Sequence, residues 1–377
     1  MFKGKRLKVA HHDGYILNLK DMEVNLITNM PIKSGIGSYS MELYRILKPS
    51  LPGLTLYSYY YKTNEVIPWS VDISQFHTNN FIMIPYVTRK NLSKIRRSKK
   101  FLGKNIHILG ADYSLVSETD KAIGTVHEFY FTVYNIPRLR NFGEIAKEFY
   151  YNYNLLKLSL QIKKFKKIIA PSLHAAKQIK KHTGIEPVVI HETVDDRKFR
   201  HRDKSYARRI LNLDGNLTYV LNVSGGGTNK NLETLKKIAN LLPNNCKLVK
   251  IGFPIDSKNS INVGNVEDDI YPLFFNAADV YINVSTNEGF NIPLIESLKS
   301  SLPIVSNRCA TSFELLGESG IYLDNPYDSK QYLEMILYLL DDKTNEYYSN
   351  LSYTRSLRFS EDEAREKYLK VYSEVFG

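Results

Sequence analysis

Cysteine is nearly missing from this chain of 377 residues, with only Cys246 and Cys309 present, and the two stand neither at metal-ligand spacing nor in a disulfide-rich context. A disulfide scaffold is thereby excluded and a reducing compartment is expected, with both thiols acting as small buried hydrophobes. No apolar run reaches the roughly 18 residues that a membrane-spanning helix needs. Lys3, Lys5, Arg6 and Lys8 break the first eight residues where a secretory leader would be apolar, so neither secretion nor spanning is expected and the location is read as cytoplasmic. Low-complexity segments and a recurring period of 20 to 50 residues are also missing, which excludes solenoids and linker-rich chains.

What the chain does have is length and unevenly placed charge. At 377 residues it exceeds what a single core usually supports, and two domains are expected. Of the net charge of +12, residues 1–190 hold 29 Lys and Arg against 13 Asp and Glu, while the remainder carries 22 against 26. The basic half concentrates its charge at Arg89, Lys90, Lys94, Arg96, Arg97, Lys99, Lys100 and Lys104, and again at Lys163, Lys164, Lys166 and Lys167. Such patches attract anionic lipid head groups, nucleic acid or polyanionic glycans; a solvated basic face without a partner is the plain alternative.

The most informative stretch is residues 281–323. A short apolar run at 280–284 suits a buried parallel strand, 285–291 a turn, 292–299 a helix and 303–306 the next strand. Strand, loop and helix in that order place the amides of Gly289, Phe290 and Asn291 at a helix N-terminus, a ready site for phosphate. Glu288 and Glu296 bracket the turn eight positions apart, one at the strand end and the other about one and a half turns into the helix, so both carboxylates can point at one ligand. Carboxylates accept from vicinal hydroxyls, and two of them around an anion site fit a nucleotide sugar.

Earlier in the chain, a strand at 24–30 leads through Gly35 and Gly37 into a helix at 41–47. The pattern lacks the third glycine of a dinucleotide fingerprint. Further strands are expected at 54–61, 81–87, 106–109 and 122–126, a basic helix at 89–100 and a long helix at 142–165. The strand at 122–126 delivers His127 to its carboxyl end; Ser172 suits the N-cap of a helix at 173–181 that Gly184 stops, before a strand at 188–191. A strand at 218–223 opens a second half, where Gly225, Gly226 and Gly227 precede Lys230 at the start of a helix at 232–240, a cradle for phosphate in which amides donate and an ammonium offsets charge. Asn231 after Lys230 excludes a Walker A loop. A strand at 248–252 and a helix at 268–278 follow.

Glu288-Gly-Phe-Asn-Ile-Pro-Leu-Ile-Glu296, with Leu302-Pro-Ile-Val after it, resembles the Glu-x7-Glu signature of retaining glycosyltransferases of family four. The resemblance runs over about residues 24–376 and implies α/β architecture of the GT-B kind, two Rossmann-like domains facing across a cleft. Residues 1–190 would form the acceptor-side domain, 191–359 the nucleotide-sugar domain, and a last helix at 360–376 would return to the first. Gly35 and Gly37 resemble the loop that approaches the donor diphosphate, His127 the histidine facing the transferred sugar, and Gly225, Gly226 and Lys230 the diphosphate loop, although glycines stand where relatives often carry an arginine. Val266 falls in the segment whose backbone contacts the base. Glu296 would hold ribose hydroxyls, and Glu288 with the Gly289, Phe290 and Asn291 backbone the donor sugar.

The implied reaction is transfer from a nucleoside diphosphate sugar of UDP or GDP type to a glycan, lipid-linked or protein-linked acceptor, with Lys230, Glu288 and His127 as the catalytic set. Neither a cofactor nor a metal is expected, since Asp268 and Asp269 read as a helix start and no carboxylate cluster stands beside them. Peripheral contact of the basic half with an anionic membrane suits a lipid-linked acceptor. The alternatives are a nucleic-acid module, which shows no recognition motif and leaves Glu288 to Glu296 unexplained, a noncatalytic GT-B-like protein, a sugar-nucleotide epimerase, or a phosphorylase, which would need a further phosphate or cofactor site.

Overall fold

The computed structural model describes residues 19–28, 34–59, 66–68, 102–110, 113–127 and 158–377. The strand expected at 81–87, the helix at 89–100 and residues 142–157 of the long helix lie outside these, as do residues 1–18. The chain forms two sheets, each central to its own core.

The first sheet is made of β1 (Val24–Thr28), β2 (Leu54–Tyr59), β3 (Val66–Pro68), β4 (Ile106–Ile108), β5 (Ala122–Thr125), β6 (Lys167–Ala170) and β7 (Val188–Val189), in the order β3-β2-β1-β4-β5-β6-β7. All pairings are parallel except that of β2 with β3. β1, β4 and β5 are buried along their whole length, as parallel strands covered on both faces must be. The order reverses between β1 and β4, which puts a crevice at their carboxyl ends.

Helix α1 (Gly35–Leu47) follows β1 and begins six residues before the expected 41. Ser34 caps it by accepting from the Gly37 amide at 3.0 Å, so the glycines form the first helical turn and not a loop. Tyr39, Leu43, Ile46 and Leu47, spaced three and four apart, face the sheet. Helix α2 (Leu173–Thr183) is capped by Ser172, which accepts from the Ala175 amide, and is ended by Gly184 in the left-handed region at φ 76°.

The second sheet is wholly parallel: β8 (Thr218–Ser224), β9 (Cys246–Gly252), β10 (Ser260–Gly264), β11 (Val280–Asn283), β12 (Ile304–Asn307) and β13 (Gly320–Leu323), ordered β10-β9-β8-β11-β12-β13. Its helices are α3 (Lys204–Ile210), α4 (Leu232–Leu241), α5 (Tyr271–Ala277), α6 (Ile292–Lys299), α7 (Ala310–Leu316), α8 (Ser329–Leu339) and α9 (Asp342–Ser356). Helix α5 is shorter than its expected 268–278 because Asp268 and Asp269 occupy a turn ahead of it, with Pro272 at the second helical position.

The final helix α10 (Glu361–Phe376) starts at Ser360, which accepts from the Glu363 amide, and three acids in its first turn complement the helix dipole. Ala364, Tyr368, Val371, Tyr372 and Phe376 pack into the core that holds Tyr39, Leu43 and Leu47, so α10 lies on the first sheet's side. Burying Val371 and Phe376 contributes about 1.5–3 kcal/mol each, and Ala364 much less. Polar groups fix the contact: the Tyr39 hydroxyl bonds Tyr368 at 2.7 Å and Thr125 at 3.0 Å, and buried His107 bonds Tyr372 at 2.6 Å and Thr125 at 2.8 Å. Burial, with the nearby His127, holds the His107 pKa down at about 3, so it acts as a neutral bridge.

Candidate functional site

The second sheet reverses order between β8 and β11, and the two segments that sequence singles out leave the carboxyl ends of these two neighbouring strands. From β8 runs loop A, residues 224–231, with Gly225, Gly226 and Gly227 exposed and one 3-10 turn at Thr228–Lys230. From β11 runs loop B, residues 284–291, into α6. The loops are fastened side by side: the Thr286 amide donates to the Asn229 carbonyl at 2.8 Å, and Asn229 Nδ2 donates to the Asn287 carbonyl at 2.9 Å. Lys230 Nζ then reaches Glu288 Oε1 at 2.5 Å, joining the cationic and anionic members of the expected site in one ion pair.

Asn231 and Asn291 are the N-caps of α4 and α6, and both sit in the left-handed region, at φ 50° and 90°. Neither side chain caps its helix. Asn231 Nδ2 donates to the Pro326 carbonyl and Asn291 Nδ2 to Asn283 Oδ1, so each side chain anchors its loop elsewhere. Two helix N-termini without side-chain caps thus stand at the ends of the two fastened loops, an arrangement suited to an anion.

Glu296 lies inside α6 and is buried. Its Oε2 accepts from the Tyr271 hydroxyl at 2.6 Å. Burial pushes its pKa up to about 8, and the Tyr271 bond opposes that only in part. Tyr271 belongs to an aromatic cluster with Phe199 and Phe275, and Val266 and Phe290 pack against the same core. Phe290 is buried as a core side chain, while Gly289 gives its carbonyl to Ser172 Oγ at 2.7 Å and Glu288 gives its carbonyl to Thr311 Oγ1 at 2.7 Å.

The candidates from the first half stand apart. Gly35 and Gly37 are in the first turn of α1, and the Gly37 amide is engaged by Ser34 Oγ. His127 is buried at the end of β5 with both ring nitrogens bonded: Nδ1 to Glu192 Oε1 at 2.9 Å and Nε2 to the Leu109 carbonyl at 3.2 Å, with the Tyr39 ring edge-on at 4.6 Å. A carbonyl can only accept, so Nε2 carries a proton here. Among the basic residues, Lys163, Lys164 and Lys166 are exposed, Lys167 pairs with Glu374 at 3.2 Å, and residues 89–100 lie outside the described ones.

Several partners escaped the sequence reading. Tyr271 bears no spacing relation to Glu296, Ser172 reads from sequence only as a helix cap, and no local pattern ties Glu192 to His127. Asn229 offers the nearest thing to a signal, lying one residue before Lys230 in the glycine-rich loop.

Residues 218–342 match the model of the family described as Glycosyl transferases group 1, a stretch that contains both loops, Lys230, Glu288 and Glu296. O-antigen chain mannosyltransferase B of Escherichia coli is 30% identical over 80 residues, 21% of this chain and 21% of that protein. The aligned part therefore spans about a fifth of that relative's length. Among solved structures, the sucrose-phosphate synthase of Thermosynechococcus elongatus superposes with a TM-score of 0.70 at 15% identity, over 94% of this chain and 99% of its own. HepE of Anabaena, solved in complex with UDP-glucose, gives 0.68 at 15% identity over 93% and 99%. The fold is that of the GT-B glycosyltransferases, two Rossmann-like halves across nearly the whole chain, and the sequence likeness to glycosyl transferases group 1 falls on the half that holds the candidate site.

Proposed function

We propose that the protein is a retaining glycosyltransferase that moves a sugar from a nucleoside diphosphate sugar, of UDP or GDP type, onto a glycan, lipid-linked or protein-linked acceptor, with no metal taking part. One observation carries this reading: loops A and B meet at the switch point of the second sheet, with Lys230 on Glu288 and two helix N-termini beside them. The likeness to a mannosyltransferase and to a structure solved with UDP-glucose supports a nucleotide-sugar donor.

The chemistry follows from charge. Breaking the bond from the anomeric carbon to the diphosphate oxygen leaves the electron pair on that oxygen. Lys230 and the amides of Gly225, Gly226, Gly289 and Asn291 form a preorganised set of donors for it. The Lys230–Glu288 pair opens toward the ligand: the ammonium turns to phosphate, and the released carboxylate accepts from sugar hydroxyls. Glu296 takes the ribose. His127 meets the sugar from the first half once it gives up the longer bond to Leu109. Val266 gives backbone contact to the base, and Gly35 opens α1, where among the described residues beyond its chain neighbours and own helix backbone no atom comes within 4 Å of the Cβ it lacks.

No helix among the described residues is long and apolar enough to cross a membrane. The enzyme is read as cytoplasmic, with the basic first half resting on anionic lipid when the acceptor is lipid-linked. The test is a panel of UDP-, GDP- and ADP-sugars, with and without EDTA, followed by nucleoside diphosphate release and thermal shift. One donor should be cleaved whether or not EDTA is present, and Lys230→Ala should lower kcat about 100-fold to 1,000-fold. Failure of every donor to shift the melting point or release diphosphate would sink the proposal.

A further inference from the structure

Lys250 is a buried charge that the reading above does not use. It stands in β9 between Asn222 of β8 and Asn262 of β10, and its side chain has no exposed surface. Its Nζ donates to two carbonyls, Ser224 at 2.7 Å and Ile251 at 2.7 Å. Both acceptors are neutral, and among the described residues no carboxylate forms an ion pair with it. Burial, then the positive Lys230 nearby, pulls its pKa down to about 7. A buried ammonium without an anion is costly, and an apolar side chain would serve a strand interior better.

Among the described residues the surroundings supply no other compensation. Leu248, two residues back on the same face, packs in a core with Leu235 and Ile238 of α4, and the buried residues of that helix are uncharged. Glu233 of α4 is exposed, Lys236 pairs with Asp256, and Glu288 is engaged by Lys230. What the ammonium does touch is loop A. The Ser224 carbonyl belongs to the peptide that carries the Gly225 amide, and a cation on that oxygen makes the amide a stronger donor. The same oxygen accepts from the Phe253 amide at 3.0 Å, and a Cβ on Gly252, which sits at φ 92°, would come within 2.5 Å of it.

We propose that Lys250 is the second cation of the diphosphate site, a positioning residue that acts through the Ser224–Gly225 peptide and takes up a proton when the diphosphate arrives. This rests on the donor-site reading given above. The diphosphate's negative charge favours the protonated lysine, so binding and protonation reinforce each other, and the proton comes from solvent. The ligand class that gains is the nucleoside diphosphate over the nucleoside.

Isothermal titration of the full chain with UDP, GDP and their nucleosides, at about pH 8 in two buffers of unequal ionisation heat, tests it. Free diphosphate is fully ionised there, and the nucleoside arm isolates any proton moved at Glu296. Wild type should take up more of a proton with diphosphate than with nucleoside. Lys250→Met should abolish that excess and weaken diphosphate about tenfold with nucleoside affinity unchanged, while Lys250→Arg should keep affinity without the uptake. Equal proton counts for the two ligands, or wild-type diphosphate affinity in Lys250→Met, would overturn the inference with the donor site intact. Should Lys250→Met fail to fold, the wild-type proton count and Lys250→Arg decide. Should wild type bind neither diphosphate, the donor-site reading falls and takes this one with it.

Discussion

Burial raises the pKa of Glu296, and the consequence for stability has a definite sign. Its folded pKa of about 8 lies above the ordinary carboxylate value, so the folded state keeps a proton that the unfolded chain releases from about pH 4.5 upward. Stability from this group is complete below that pH and is lost as pH rises toward 8, by a few kcal/mol at most. Glu296→Gln, neutral at every pH, should flatten the fall in melting temperature between pH 5 and pH 8 while abolishing thermal stabilisation by nucleotide; an unchanged slope would mean that Glu296 ionises freely. On the proposed reading, ribose hydroxyls would draw this carboxyl into service, either by receiving its proton in a hydrogen bond or by displacing that proton. Glu296 could be singled out from sequence because it follows Glu288 at a fixed spacing along one continuous loop-and-helix stretch. Tyr271 could not: its hydroxyl meets Glu296 through the packing of Phe199, Phe275 and Tyr281, which no local pattern encodes.

Among the elements, those with strong local signals came out nearest the expectation. Helix α6 spans Ile292–Lys299, where apolar spacing and Pro293 in the first turn agree, and α10 spans Glu361–Phe376, where the Ser360 cap and apolar spacing agree. The glycine-rich entry to α1 departed, since Ser34 supplies a cap strong enough to recruit Gly35 and Gly37 into the helix. The left-handed starts of α4 and α6 were invisible too, although asparagine tolerates that conformation best after glycine. Asn291 makes this measurable. Asn291→Ala places a Cβ without local hydrogen bonding at φ 90° and should destabilise by about 1–2 kcal/mol in chemical denaturation. Asn291→Gly, which keeps the backbone but loses the bond to Asn283, should cost less; the opposite ranking would locate the asparagine's value in its side chain. Where α10 meets the first sheet, Tyr372→Phe strands a buried His107 nitrogen and should cost about 1–3 kcal/mol in the same assay.

The two halves are joined by more than the chain crossing between β7 and β8. Glu314 of α7 reaches over to the N-terminus of α2, where its carboxylate accepts from the Leu173 amide at 2.7 Å, the His174 amide at 3.1 Å and His191 Nε2 at 2.8 Å. One acid thus caps a helix of the other half and satisfies amides that Ser172 leaves over. Ser172 meanwhile holds the Gly289 carbonyl, so the same contact that joins the halves also fixes loop B beside the expected sugar. Burial raises the Glu314 pKa, but the bonds from His191 and the two amides outweigh it and the net shift is downward. A carboxyl with a depressed folded pKa contributes stability that is present above its unfolded value and is lost as pH falls through the folded one. The clasp should therefore be whole at neutral pH and loosen only on acidification below the ordinary carboxylate range. Glu314→Ala removes it at every pH, leaving two amides and an imidazole facing a gap. Small-angle scattering should show a larger radius of gyration for Glu314→Ala than for wild type at neutral pH, and wild type should approach the variant's value in acid before either unfolds. Because Gly289 is released with the clasp, donor KM should rise several-fold with kcat less affected; identical scattering and an unchanged KM would mean that α10 and the linker alone set the angle between the halves.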